Sequence, residues 1–200
     1  MDGQRTDEIA EHHQPHGQGQ AAGASVYRVY PLSSVLLYNG VTLAHFGLGM
    51  AGLVVGYRTW PTVAWILGGA YMLFALTQMY VLMPLKVCPA CAYRRMDGAR
   101  CVSALNLVSA RLAAPRDLNR FPERARGVLC HNNLYMAALV LPLLLMLPSL
   151  VAGFSLPLLA LFLMLVALLA FRLFVLFTRV ACLHCVAKRH CPNAQAMRIS

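Results

Sequence analysis

Residues Phe154–Thr178 read FSLPLLALFLMLVALLAFRLFVLFT, 25 positions in which Arg172 is the one charge. A helix needs about 20 apolar residues to cross the ~30 Å hydrocarbon core of a bilayer. A helix that is apolar on every side belongs in such a core or at the centre of a large protein. Three earlier runs have the same character: Leu32–Tyr57, Pro61–Leu85 and Cys130–Val151. The fold expected is therefore an all-α integral membrane protein with four transmembrane helices. Arg58, Thr59 and Trp60 alone separate the first two runs, and a few residues around Ala152 and Gly153 the last two, so each pair is predicted to be an antiparallel hairpin. Pro142, Pro148 and Pro157 lie inside the third and fourth runs, where they kink a helix that its neighbours can still satisfy.

Composition agrees. The 200 residues are 59% hydrophobic and 12% charged, whereas a soluble domain is roughly half apolar and a quarter charged. Five segments follow: a polar tail over 1–30 expected to be disordered, the first hairpin over 31–85, a Cys- and Arg-rich loop over 86–129, the second hairpin over 130–179, and a Cys-rich tail over 180–200. The first apolar run begins only after thirty polar residues, so a cleaved secretory leader is not expected. In the loop, Val102, Leu105, Val108 and Leu112 recur at helical spacing and predict a short interfacial helix.

The net charge of +10 comes from 17 Lys and Arg against 7 Asp and Glu, and its placement carries the information. Nine basic residues fall between Lys86 and Arg126 and four from Arg179 onward, against one, Arg58, between the first two runs and none between the last two. Because Lys and Arg resist translocation, the loop and both termini are expected on the cytosolic side of an inner, or equivalent, membrane. Nucleic-acid binding is not expected, since no recognition fold or aromatic-plus-basic stacking platform accompanies the charge. The partners expected are the bilayer and a protein docking on the Arg94, Arg95 and Arg100 cluster.

Chemistry is concentrated in the cysteines. Cys88 and Cys91 follow the second apolar run, Cys182 and Cys185 the fourth, and Cys101 and Cys191 follow each pair. A CxxC spacing lets two sulfurs bind one metal, and two such pairs supply the four thiolates of a zinc site or an iron–sulfur cluster. Cys88, Cys91, Cys182 and Cys185 are the primary candidate ligands, with Cys101, Cys191, His184 and His190 as further ones. In outline, four helices with two cysteine pairs on one side resemble the quinone-linked disulfide-forming membrane oxidoreductases. Here, however, the pairs follow the second and fourth helices, and the basic residues put them in the cytosol.

Three of the polar residues within the apolar runs are candidates for function. His45 lies near the middle of the first and Tyr71 at a similar depth in the second, where together they could relay protons or hold a quinone head group. The alternative for His45 is a neutral histidine hydrogen-bonded between helices. Arg172 is expected either to snorkel to the interface or to hold an anionic group. Gly52 and Gly56 form a GxxxG suited to close packing within the chain, and His12, His13 and His16 could bind a metal weakly. Two functions remain open: a redox protein with an iron–sulfur cluster coupled to a quinone, or a non-enzymatic subunit or docking factor whose zinc staples loop to tail.

Overall fold

The computed structural model describes residues 25–199, so His12, His13 and His16 lie outside the described residues. Among those described, every regular element is helical, and four helices are long and apolar enough to cross a membrane: Leu32–Gly56, Pro61–Ala90, His131–Ala152 and Leu156–Ala181. The first is α1. The second comprises α2 (Pro61–Leu76), a π-helical segment Thr77–Val87 and a last tight turn, Cys88–Ala90. A short helix α3 (Leu105–Leu112) lies in the connection before α4 (His131–Ala152). The fourth span is α5 (Leu156–Phe171) continued by a π-helical segment Arg172–Ala181, and α6 (Pro192–Ala196) follows. Pro61 and Pro157 both sit in the first turn of their helices, where a missing N–H costs nothing.

The two halves of the chain repeat one order of elements. Each has a long helix, a short connection, a second apolar helix, a π-helical segment and then a CxxC. In both, the first cysteine's N–H reaches back five residues, Cys88 to Met83 O and Cys182 to Phe177 O, so the widened turns run up to the thiols. Such π-turns are unusual and cluster at functional sites.

Helix α1 packs against α2, α4 and α5. Its glycines permit the approach to α4: a Cβ on Gly52 would lie 2.5 Å from Met146 Sδ, and one on Gly56 3.0 Å from Ser149 Oγ. The GxxxG is thus used inside the molecule. Large apolar side chains on all four spans, among them Leu36, Leu73, Leu144 and Phe174, are exposed, as hydrocarbon contact requires. Exposed Trp60 and Trp65 lie where α1 ends and α2 begins, a place suited to an aromatic belt.

The prolines inside α4 leave carbonyls of the preceding turn without their N–H partners. Pro142 has no N–H to give the Ala138 carbonyl, and the Tyr71 hydroxyl donates to that carbonyl instead, at 3.0 Å. Tyr57 donates to Leu145 O at 2.9 Å, beside the Leu144 carbonyl that Pro148 leaves without its N–H.

One local expectation changes, and one expected helix shows its buried side. The segment before α1, read as part of the tail, is packed at its end: Tyr30 is fully buried and Tyr27 N donates to His184 O. In α3 the inward face is Leu105, Asn106 and Ser109, while Val108 and Leu112 point outward. The reason is Asn106, whose amide donates to Ala99 O and accepts from Cys101 N, so the helix turns its polar side inward to satisfy the loop backbone.

Candidate functional site: a cysteine chamber

One end of the bundle gathers the start of α1, the turn and loop after α2, the start of α4, and the chain after α5. Several long-range contacts fix this end. Arg100 donates to Tyr30 O through Nε and Nη2, Tyr30 Oη donates to Ala181 O, Tyr93 Oη to Tyr27 O, and Gln78 Nε2 to His131 O. Between these elements lies a cavity of about 170 Å3. Cys88, Cys91, Cys101, Cys182, Cys185 and Cys191 all line it, together with Tyr30, Tyr38, Tyr93, Tyr135, Phe121 and Phe177. Six of the seven cysteines, drawn from two stretches more than eighty residues apart, therefore share one chamber.

The seventh stands apart. Cys130 is buried as the N-cap of α4, its sulfur accepting from Asn133 N at 3.4 Å, which is a structural use. Of the further candidate ligands, His184 stacks on Tyr27 with ring centroids 4.4 Å apart, and its Nδ1 meets Ser25 O at 2.7 Å, so it pins the segment before α1. The side chain of His190 lies outside what the structure describes. Among the described residues no three His, Cys, Asp or Glu side chains are grouped so as to hold a metal ion. The thiols stand around a wall and do not converge on a point.

Two tyrosines of the chamber wall are deeply buried. Tyr30 and Tyr93 are buried to 1% and 2% exposure. Burial first, and next the neighbouring Cys185, push both phenols well above the ordinary tyrosine value; Cys182 adds to the effect on Tyr30, and Cys101 and Cys91 to that on Tyr93. Both hydroxyls therefore stay protonated and act as donors to carbonyls.

The polar residues of the spans are placed in two ways. His45 and Tyr71 do not bond to each other. His45 Nε2 meets Leu139 O at 2.9 Å and Tyr71 Oη meets Ala138 O, so both hold consecutive carbonyls of α4, and the bond fixes the Nε2–H tautomer of the imidazole. Arg172 corrects an expectation outright: it is 0% exposed and does not snorkel. Its Nη2 donates to Thr42 Oγ1 at 2.7 Å, and its guanidinium carbon lies 5.3 Å from the ring centroids of Tyr38 and Tyr135 and 5.6 Å from that of Phe177. Thr42 in turn donates to Tyr38 O, which fixes the hydroxyl as the acceptor Arg172 needs. The three rings over Arg172 are also lining of the chamber.

The sequence reading missed Tyr30, Tyr38, Tyr93 and Tyr135. A signal existed for two of them: Tyr38 and Tyr135 lie within two turns of the starts of α1 and α4, at the membrane end to which Cys88 and Cys182 had been assigned. Comparison of the chain with protein-family models, with curated proteins and with solved structures gives no match.

Proposed function

We propose that this is a membrane electron-transfer protein whose cysteine chamber holds an iron–sulfur cluster on Cys88, Cys91, Cys182 and Cys185. The supporting observation is the chamber itself: six thiols around about 170 Å3 of space. A structural zinc ion is held in a closed tetrahedral site with its four ligands drawn onto one point. Thiols spaced around a cavity instead suit a polyatomic cluster, whose ligands bind different metal atoms. Cys101 and Cys191 complete the wall and are available as alternative ligands.

The spans form two antiparallel hairpins in an inner or equivalent membrane, with the chamber and both ends of the chain toward the cytosol, a placement supported by the thirteen basic residues in the loop and C-terminal segments. The reaction that follows is one-electron transfer. Cys88, Cys91, Cys182 and Cys185 would hold the cluster, which when bound would supply one-electron chemistry between a soluble carrier docking at the Arg94, Arg95 and Arg100 cluster and a lipid-soluble quinone, with two electrons and two protons taken up per quinol. His45 and Tyr71, tied to α4, serve the bundle and not the carrier.

The test is iron and acid-labile sulfide content, with a visible spectrum, on full-length protein purified in detergent without oxygen. Stoichiometric iron and sulfide with broad visible absorption, both lost in Cys88→Ser and in Cys182→Ser, are expected. One zinc per chain with no visible spectrum would overturn the reading in favour of a stapled docking subunit.

A further inference from the structure

A second cavity, of about 250 Å3, opens beside the chamber and shares Val87, Phe121 and His131 with it. Three cations, Lys86, Arg116 and Arg120, surround it against one carboxylate, Glu123. It forms where a tight helical segment, Leu118–Ala125, packs on the turn after the second span and on the start of α4. Backbone contacts hold these walls: Arg116 N donates to Pro89 O at 2.9 Å, Arg95 Nη2 to Arg116 O at 3.0 Å, and Gln78 Nε2 to His131 O. The cationic ends are not used up in the same way. Among the described residues Lys86 and Arg116 enter no ion pair, and Arg120 meets Glu123 at 3.7 Å with both side chains more than half exposed, a contact of little strength. The nearby Asp117 turns its carboxylate to Asn119 N.

Position in the bilayer selects the anion. Lys86 stands in the last turn of the second span's π-helical segment and His131 is the first residue of the third span, so the cavity lies where the spans leave the hydrocarbon. Just ahead of the α4 N-cap, Val128 and Leu129 are 85% and 82% exposed. Adjacent apolar side chains so exposed at the end of a span favour acyl chains over water. A basic pocket between spans, flanked by such residues, suits a phosphate that carries its own acyl chains. We propose that Lys86, Arg116 and Arg120 form a binding site for the phosphate head group of an anionic lipid, with Val128 and Leu129 seated in the adjoining bilayer. The excess of cations over the single Glu123 favours a lipid of net negative charge over a zwitterionic one. The site uses none of the chamber's thiols and stands whatever the chamber holds.

The experiment is native mass spectrometry of the full-length protein, delipidated in detergent and titrated with dioleoylphosphatidylglycerol or dioleoylphosphatidylcholine, and with glycerol 3-phosphate and inorganic phosphate as chain-free anions. The wild type is expected to hold phosphatidylglycerol about tenfold more tightly than phosphatidylcholine, and the chain-free anions more weakly than either lipid. Lys86→Gln, Arg116→Gln and Arg120→Gln should each weaken phosphatidylglycerol by about fivefold, and the three together by about a hundredfold. Arg58→Gln, Arg111→Gln and Arg189→Gln combined remove the same charge outside the cavity and should bind the lipid as the wild type does. All six side chains are exposed, so neither triple variant disturbs the packing of the fold. Equal weakening in the two triple variants would overturn the site in favour of net charge alone, and equal binding of the two lipids would overturn it as well. Chain-free phosphate bound as tightly as phosphatidylglycerol would overturn the lipid as the occupant.

Discussion

His45 and Arg172 are both fully buried inside membrane-spanning helices, yet the middle of the bundle and its cysteine end treat them differently. At mid-span, His45 and Tyr71 give their hydrogens to carbonyls of α4, one of which Pro142 has released from the helix ladder. His45 is left with Nδ1, a neutral acceptor, as its one unpartnered atom, a modest cost. At the cysteine end Arg172 carries a full charge beside a cavity, ringed by Thr42, Tyr38, Tyr135 and Phe177. Polar groups in a membrane are expensive wherever they sit. A neutral group is satisfied by a single carbonyl, whereas a buried charge needs a shell of partners around it.

That contrast can be broken, most severely by substitution at the cysteine end. Cys88→Ser or Cys182→Ser should abolish bound iron, whereas His45→Ala should leave iron content unchanged; loss of iron in His45→Ala would erase the distinction between the regions. The next largest effect concerns packing. Gly52→Leu, placed where even a Cβ would meet Met146, should destabilise the bundle by about 1–3 kcal/mol in a detergent unfolding assay. An unchanged unfolding midpoint would show that Met146 swings aside.

The mid-span account is sharpened by a double-mutant cycle. Tyr71→Phe removes a donor from Ala138 O and should cost about 1 kcal/mol. In a Pro142→Ala background the restored backbone N–H serves that carbonyl, so the same substitution should cost measurably less. Equal costs in both backgrounds would mean that the tyrosine is not filling the proline's gap.

The smallest effect is on pH dependence at the cysteine end. Tyr30 and Tyr93 have their phenols raised in the folded state, so above about pH 10 the unfolded chain releases protons that the folded chain retains. Their contribution to stability is thus fully present below about pH 10 and declines as pH rises beyond it. Tyr30→Phe should flatten that alkaline decline in a thermal-shift series, and an unaltered profile would remove Tyr30 from the titrating groups.

Much of this division between regions follows from what kind of information each residue carries. The glycines at 52 and 56 were readable as a packing motif because small residues at helical spacing have one common use in membranes. Arg172 was not readable in the same way. A long cationic side chain near a helix end reaches water in most helices, and only the rings of Tyr38 and Tyr135, supplied by α1 and α4, together with Thr42 close that route. The stripe at Leu105, Val108 and Leu112 did announce α3, but that its buried side includes Asn106 answers a demand from the loop backbone that no periodicity records.

The sequence by itself determined that four segments are long and apolar enough to span a bilayer, since that depends on summed side-chain transfer energies along the chain. It also determined that two CxxC pairs sit at matching places after the second and fourth spans. Only the tertiary structure decided that those four cysteines, with Cys101 and Cys191, line one chamber, that tyrosines complete its wall, that π-helical turns carry both pairs to it, and that Arg172 is buried behind it. The physical reason is that each of these depends on which helix faces join, and partners far apart along the chain leave no local trace in composition or spacing.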